Sequence, residues 1–190
     1  MQPDRTPQLP PRERIVAAAH RLFSERGIAR VSVDTIAARA KSTKMTLYRH
    51  FENRDALVLE WIQRVIESYS EVFDQLQRQH SESPRDQLLG SVAFIIENMR
   101  SAGYRGCPFT NILAELPEDE HPGRILIREH KKRQFKRLTR LCTLLKLSEP
   151  RHVAEELTLL MEGAQVVAQN EGIEDVGSRL DRMVRQRLEQ

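Results

Sequence analysis

The sequence is poor in the residues that build disulfide-rich, β-rich and membrane-spanning proteins. Its 190 residues include two cysteines, eight glycines and nine prolines, and aromatic residues make up 5%. Cys107 and Cys142 lie far apart, and neither belongs to a CxxC pair or a Cys/His array, so we predict no disulfide, no metal site and no cofactor. The longest apolar runs, such as 157–161, are far too short to span a bilayer.

Charged residues, by contrast, make up 30% of the chain and hydrophobic residues 39%. This balance, with so little glycine and proline, is typical of a soluble all-α protein. A chain of this length accommodates at most two structural units. The first residues lack the apolar core of a secretory signal, so we expect a cytoplasmic protein.

Positive charge is concentrated near the N-terminus. The first 60 residues contain eleven Lys or Arg and seven Asp or Glu, whereas the remaining residues contain 19 and 20. The surplus of four positive charges in the N-terminal part favours an anionic partner there, such as a phosphate backbone.

Apolar residues recur at helical spacing along the chain. A first helix is predicted from Pro11 to the residue before Gly27, a typical C-terminal cap. Ser32 is predicted to cap a second, short helix and Thr43 a third, with a tight turn between them. Asn53 opens a long fourth helix. Further helices are predicted at about 84–101, 108–116 and 123–146, from Pro150, and after Gly172.

The stretch from Val33 to Leu57 resembles the signature of the TetR family of transcriptional regulators, V-x-x-I-A-x-x-A-G-V-S-x-x-T-L-Y-x-H-F-x-x-K-x-x-L. Its apolar, aromatic and turn positions agree together, and the resemblance covers about residues 11–60. It implies a repressor that binds a pseudo-palindromic operator in double-stranded DNA as a homodimer and is released by a small-molecule effector. The implied organisation is a mobile N-terminal arm at 1–9, a three-helix helix-turn-helix domain at 10–54, and a larger helical effector-binding and dimerisation domain at 55–190.

The resemblance also implies which residues contact DNA. The start of the third helix would enter the major groove, where Lys44 or Arg49 could bind a guanine edge, while Tyr48, His50 and Arg54 would contact phosphates. Without the motif, these would be ordinary exposed helix residues, and Tyr48 a half-buried core tyrosine. The predicted DNA-binding set is Ser32, Thr43, Lys44, Met45, Thr46, Tyr48, Arg49, His50 and Arg54.

Two residues in the turn depart from the signature. Lys41 replaces the usual glycine and is expected to adopt a positive φ at some energetic cost. Ser42 places a small polar group where an apolar side chain usually packs. We expect a weaker turn in an otherwise unchanged fold.

In the resembled family the last two long helices form a four-helix bundle with a partner chain. Intramolecular core packing is the alternative for their apolar stripes, and we favour the dimer. The predicted dimerisation residues are Val153, Leu157, Leu160, Met161, Ala164, Ala168, Val176, Leu180, Met183 and Val184.

The segment 103–111, with His121 and Pro122, resembles an R-G-C…H-P portion found in a subset of these regulators. This similarity implies an effector pocket, with ordinary core packing as an equally good interpretation of any one residue. Cys107 is a candidate sensor of oxidants or electrophiles, and inert packing is its alternative. The predicted ligand-binding set is Trp61, Phe94, Met99, Cys107, Phe109, Asn111 and Leu113.

Two other classes of function stay open. An enzyme would have to use Cys107 with His121 or His130, or the carboxylates at 118–120, but no recognisable motif surrounds them, so we predict no catalysis. A DNA-binding architectural or adaptor protein without effector control is the second alternative. The basic run at 131–140 lies on a helix with an apolar stripe and is interpreted as a solvated face.

Overall fold

The computed structural model describes residues 9–103, 105–116, 119–170 and 175–189. These ranges contain helices and no strand, which confirms the predicted all-α class. Residues 1–8 of the predicted arm lie outside the described residues. The helices are α1 (Pro11–Arg26), α2 (Val33–Arg39), α3 (Lys44–His50), α4 (Arg54–Gln79), α5 (Pro84–Ser101), α6 (Pro108–Glu115), α7 (Pro122–Leu144), α8 (Pro150–Gln169) and α9 (Val176–Arg187).

The short N-terminal helices begin at side-chain caps, as predicted. The Ser32 hydroxyl accepts a hydrogen bond from the third residue after it at 3.2 Å. Thr43 caps α3 in the same way at 3.1 Å, and the Asn53 amide oxygen caps α4 at 2.8 Å. Each cap binds a backbone N–H that has no partner within its helix, so the start of each helix is determined by the local sequence.

The turn between α2 and α3 has the predicted backbone conformation at Lys41, which replaces the usual glycine. Lys41 has φ 48°, in the left-handed region. The Ser42 N–H donates to the Ala37 carbonyl at 2.9 Å, and the Lys41 N–H donates to the Ala38 carbonyl at 3.1 Å. These hydrogen bonds end α2 and hold the turn tight, at the cost of placing a side chain where glycine is favoured.

The chain divides into two compact units. Unit 1 consists of residues up to Val65 together with Ile112–Arg124. The predicted boundary after residue 54 falls inside unit 1, because α4 is one continuous helix and its first three turns belong with α1 to α3. α1 packs against α2 and α3. The core of this part includes Ile15, Ala19, Phe23, Ile36, Leu47, Leu57 and Ile62.

Unit 2 consists of Ile66–Asn111 and the residues from Ile125 onwards. In this unit α8 packs against α9, and α5 packs against both. Cys142 is fully buried there, and burial raises the pKa of its thiol to about 11, so this cysteine is unreactive at neutral pH. The core of the unit includes Leu88, Val92, Leu138, Leu141, Val153, Leu157, Leu180 and Val184.

No helix among the described residues has the length and apolar character that a membrane span requires.

Candidate nucleic-acid interface and effector-binding residues

Helix α3 has one buried residue and a broad exposed face. Leu47 is completely buried and holds the helix against the core of unit 1. Met45 is 68% exposed and Tyr48 is 45% exposed, an unusual degree for large apolar side chains. Lys44, Arg49 and His50 are also exposed, so five of the predicted DNA-binding residues lie together on the outer surface of one short helix.

The charged residues of this face make only weak contacts within the chain. Lys44 Nζ lies 3.4 Å from a carboxylate oxygen of Asp34, but both side chains are more than half exposed and solvent screens the pair. Arg49 Nη2 lies 3.7 Å from the Met45 sulfur, one helical turn away. Both cations can therefore exchange these partners for phosphate or base acceptors at little cost.

Ser32 and Thr43 use their hydroxyls inside the protein. Besides capping a helix, each hydroxyl lies 2.9 Å from the hydroxyl of the threonine three residues later, Thr35 or Thr46. These groups are exposed at the starts of α2 and α3. They hold the two helix starts in place, and their remaining hydrogen-bonding capacity faces solvent.

Arg54, predicted to contact phosphate, is directed into the protein. Its guanidinium donates to the carbonyl of Val31 from Nε at 3.3 Å and from Nη2 at 3.2 Å, and Nη2 also donates to the carbonyl of Ile28. The guanidinium carbon lies 5.9 Å from the centre of the Phe23 ring. These contacts use most of its donors to hold the α1–α2 loop, residues 27–32.

Four charged residues join α1 to α4 within unit 1. Arg64 contacts Glu13 and Glu60 at 3.0 Å, and Arg12 contacts Glu60 at 2.9 Å. Hydrogen bonding to Arg64 lowers the pKa of the Glu13 carboxyl. Burial opposes ionisation of Glu60, but Arg12 and Arg64 outweigh it and lower its pKa as well. Sequence analysis missed this network, of which only the i,i+4 pair of Glu60 and Arg64 is visible as a local pattern.

In unit 2, aromatic rings surround Tyr69. Its ring centre lies 5.0 Å from that of Phe94 and 4.9 Å from that of Phe109, both edge-on. His130 packs against Phe109 with 4.6 Å between ring centres. The predicted residues Phe94 and Phe109 therefore lie together, with Tyr69 between them, and Met99 is buried in the same unit.

Polar groups accompany these rings. The Tyr69 hydroxyl accepts a hydrogen bond from Asn98 Nδ2 at 2.5 Å, and burial raises the pKa of the phenol. Lys131 Nζ lies 3.6 Å from the Cys107 sulfur and pairs with the Glu162 carboxylate. Burial opposes the charge on Lys131, but Cys107 and Glu162 outweigh it and raise its pKa, so the ammonium form persists beside the thiol.

His130 is buried without a partner for one of its ring nitrogens. The residue is 1% exposed, and Nδ1 has no hydrogen-bond partner among the described residues. Burial, with the nearby charges of Lys131, Arg133 and Arg137, lowers the pKa of the imidazole to about 4, so the ring is neutral at physiological pH. A buried neutral imidazole with a free nitrogen is able to donate to or accept from a bound polar group.

Three residues of the predicted ligand-binding set are placed differently. Trp61 and Leu113 belong to unit 1. The Trp61 ring packs against Phe23 at 5.1 Å, and its buried Nε1 has no partner among the described residues. Asn111 Nδ2 donates to the Arg105 carbonyl at 2.7 Å and so holds the start of α6.

The predicted ligand-binding set does not include Tyr69, Asn98, His130, Lys131 and Glu162. Only His130 leaves a usable signal, because it falls on the apolar stripe of α7, where a polar residue is expected to be buried. The other four come together from separate helices, and no local pattern identifies them.

Three residues of the basic run on α7 form ion pairs within unit 2, and Arg133, Lys136 and Arg140 are exposed. Besides the pair of Lys131 and Glu162, Lys132 pairs with Glu129 at 2.8 Å and Arg137 with Asp74. These pairs agree with the interpretation of the run as a solvated face.

The residues considered for catalysis make structural contacts. His121 Nδ1 accepts from the Gly123 N–H at 3.0 Å, and Asp119 lies 3.6 Å from Arg124. Glu118 lies outside the described residues. Among those that are described, no three His, Cys, Asp or Glu side chains are grouped so as to hold a metal ion.

Comparisons with known proteins agree with this geometry. Residues 15–61 match the family model for bacterial regulatory proteins of the tetR family. The chain is 23% identical over 152 residues to the HTH-type transcriptional regulator YjdC of Escherichia coli K12, covering 80% of each. It is 36% identical over 66 residues to the HTH-type transcriptional regulator SAB2452 of Staphylococcus aureus, covering 35% of this chain and 36% of that protein.

Similarity to solved structures extends over nearly the whole chain. The crystal structure of SCO4454, a TetR-family transcriptional regulator from Streptomyces coelicolor, has a TM-score of 0.87 at 27% identity and covers 94% of both chains. The family match, the homologous regulators and the shared fold coincide with an exposed, basic third helix in the N-terminal unit. Residues 15–61 therefore form a DNA-binding domain of the TetR family, and the chain has the fold of a TetR-family transcriptional regulator.

Proposed function

We propose that this protein is a cytoplasmic, ligand-responsive repressor that binds a pseudo-palindromic DNA operator as a homodimer and is released by a small molecule. The observation that carries this proposal is the outer face of α3, where Lys44, Arg49, Tyr48 and Met45 are exposed around the buried Leu47. Recognition of the major groove requires a helix that is anchored to the protein core on one side and presents polar side chains on the other.

On this helix, different residues suit different parts of DNA. The guanidinium of Arg49 suits the two acceptors of a guanine edge, and the Met45 side chain beside it suits a thymine methyl group. Lys44, Tyr48 and His50 offer donors to phosphate oxygens. Arg54 contributes by holding the α1–α2 loop, because its donors already bind that loop.

The proposed dimer uses the exposed apolar residues of α8 and α9. Five residues of the predicted dimerisation set are buried within one chain and have no surface left for a partner: Val153, Leu157, Ala168, Leu180 and Val184. Leu160, Met161, Ala164 and Val176 are partly accessible, and Met183 is 46% exposed. Leu159 at 73% and Val166 at 49% are two further exposed apolar residues of α8. A face that one chain leaves open in this way suits a two-fold contact.

The effector is proposed to contact the aromatic group around Tyr69 in unit 2. Apolar rings with a few buried polar groups are typical of small-molecule sites. Here the polar groups are the Tyr69 hydroxyl, the free nitrogen of buried His130, and the partly exposed pair of Lys131 with Glu162. An effector bound at these groups would shift the population of chains away from the form that fits the operator.

The first test is selection of bound sequences from a genome-derived DNA library at physiological salt. We expect a pseudo-palindrome whose half-sites lie about 10 base pairs apart or a multiple of this. Recovery of no preferred sequence, with only salt-sensitive binding, would contradict the proposal in favour of an adaptor protein without effector control.

The dimer is tested separately by sedimentation. Leu159→Glu places a charge on the open face of α8 and should give monomers that lose operator affinity. Leu144→Glu is the matched control, since Leu144 is 50% exposed on α7 and is not part of that face. Equal dimerisation of the two variants would rule out the α8 surface.

A further inference from the structure

The last residue of α6 binds the backbone of the α1–α2 loop. The Ala29 N–H donates to Glu115 Oε2 at 2.7 Å, between residues 86 positions apart in the sequence. Both residues belong to unit 1, which contains the end of α6 although the start of that helix belongs to unit 2. A loop N–H has no partner in regular secondary structure, so a carboxylate acceptor at this distance stabilises one conformation of the loop.

The space over Gly27 supports the same placement of the carboxylate. Gly27 has φ 81°, and a Cβ atom added there would lie 2.6 Å from Glu115 Oε1. The carboxylate thus occupies the volume that a side chain at residue 27 would need. The backbone conformation favours glycine here, and a side chain at this residue would displace the Glu115 carboxylate.

Backbone carbonyls of the same loop accept hydrogen bonds from a side chain of α4. Arg54, the first residue of α4, donates to the carbonyls of Ile28 and Val31. The side chains of Ile28 and Val31 are 5% and 1% exposed, so the loop is fixed by packing as well as by hydrogen bonds. An acidic side chain holds its N–H and a basic side chain holds its carbonyls.

The end of α6 is itself fixed in position. Arg124 Nη1 donates to the carbonyls of Leu113 and Leu116 at 2.8 and 2.6 Å. The Leu113 carbonyl lies in the last turn of α6, and the Leu116 carbonyl directly follows the helix. Glu115 lies between these two residues in the sequence, so the Arg124 hydrogen bonds also fix its backbone position.

We propose that Glu115 and Arg54 are positioning residues for DNA binding, which together hold the α1–α2 loop and so fix the starts of α2 and α3. Ser32, the cap of α2, directly follows the loop that these two residues hold. The inference rests on the proposed function and assigns two residues that position its DNA-binding helices. The first residue of α4 and the last residue of α6 thus both contact this loop, and both belong to unit 1.

The test compares three substitutions of Glu115 in the full chain. Glu115→Ala removes the acceptor. Glu115→Asp keeps the charge but withdraws the carboxylate by one methylene, and Glu115→Gln keeps an acceptor oxygen at full length. Glu120→Ala is the matched control, because Glu120 is an exposed acidic residue of the same unit.

Two quantities are measured: affinity for the selected operator over a range of salt, and hydrogen exchange of the Ala29 amide in the free protein. Glu115→Ala and Glu115→Asp should weaken operator binding by roughly 5- to 150-fold. The slope of log affinity against log salt and the preferred sequence should not change, since Glu115 contacts no phosphate. Exchange at Ala29 should speed up in both variants and remain nearer to that of the wild type in Glu115→Gln.

Particular outcomes would overturn the inference. The inference is wrong if Glu115→Asp shows wild-type affinity for the operator and wild-type exchange at Ala29. If Glu115→Ala does not fold, Glu115→Asp alone provides the test. A loss in Glu115→Gln equal to that in Glu115→Ala, with Glu115→Asp unaffected, would show that only the charge matters. If the wild-type protein selects no operator, the proposed function fails, while the exchange measurement still reports on the Glu115 contact.

Discussion

The guanidinium of Arg54 donates two hydrogen bonds to the carbonyl of Val31, from Nε at 3.3 Å and from Nη2 at 3.2 Å. The sequence signature places a basic residue at this position and implies a phosphate contact. In the folded chain the same charge binds a loop that connects two helices of the DNA-binding unit. Its influence on DNA binding is therefore expected to act through the geometry of that unit.

Arg54→Ala should lower the free energy of unfolding by about 2 kcal/mol, because it leaves part-buried carbonyls without their charged donor. Arg54→Lys should recover only part of this loss, since an ammonium cannot reproduce the forked contact. Urea denaturation measures both effects. Arg30→Ala, at an exposed position in the same loop, is the control. If Arg54→Ala is fully stable but binds DNA more weakly, Arg54 contacts phosphate as the sequence signature implies.

Lys41→Gly should stabilise the turn between α2 and α3. Relief of the left-handed conformation at φ 48° outweighs the added backbone entropy of glycine, for a net gain of about 0.5–1 kcal/mol. Thermal unfolding should show a higher midpoint. Arg39→Gly is the matched control with the opposite sign, since Arg39 is the last helical residue of α2 and glycine disfavours that conformation. A lower midpoint for Lys41→Gly would show that the turn carries no such strain.

Arg49→Ala should relax the preference at particular base pairs of the operator by about 1–3 kcal/mol each. Met45→Ala should weaken preference at the same or adjacent base pairs by a smaller amount, because the Met45 sulfur lies 3.7 Å from Arg49 Nη2 and orients it. Selection of bound sequences with each variant measures these changes. Arg21→Ala, exposed on α1, serves as control. A uniform loss across all sequences in Arg49→Ala would assign that residue to phosphate contact.

His130 should make stability depend on pH. Its pKa is lowered from 6.5 to about 4 in the folded chain by burial and by nearby positive charge. Between these values the unfolded chain binds more protons than the folded chain, so the free energy of unfolding falls as pH decreases from 6.5 towards 4. The loss of stability is absent above pH 6.5 and reaches about 3 kcal/mol below pH 4.

Urea denaturation at several pH values between 4.5 and 7.5 measures this dependence, with His130→Gln as the test variant. The variant should show a shallower change of stability with pH than the wild type. His152→Gln is the matched control, since His152 is 61% exposed. An unchanged pH dependence in His130→Gln would mean that the acid sensitivity arises from other groups.

Much of the fold follows from information contained within a few residues. The caps at Ser32, Thr43 and Asn53 each bind an N–H three residues later, so their sequence pattern and their structure coincide. The positive φ of Lys41 is expected because Lys41 occupies the position where the resembled signature has glycine. These interactions are local, and sequence analysis predicts them because no distant part of the chain alters them.

The dimerisation prediction shows where periodicity stops being informative. Apolar spacing places Leu157 and Leu160 on the same helix with equal weight, yet Leu157 is 1% exposed and Leu160 is only partly buried. Which side of an apolar stripe faces the chain's own core depends on where the neighbouring helices pack. That choice is made by contacts with α5 and α9, which the spacing within α8 does not contain.

By itself, the sequence determined the helical class, the capped starts of α2, α3 and α4, and the short helix α3 with its exposed donors, because each depends on residues within one or two turns of one another. The tertiary structure alone decided that Arg54 is directed inward, that Glu115 binds Ala29, and that Tyr69, His130 and Lys131 share one buried region. The Arg54–Val31 hydrogen bond joins residues 23 positions apart, and the Glu115–Ala29 hydrogen bond joins residues 86 positions apart. Chain folding, and no local propensity, brings such groups within the short range over which hydrogen bonds and packing act.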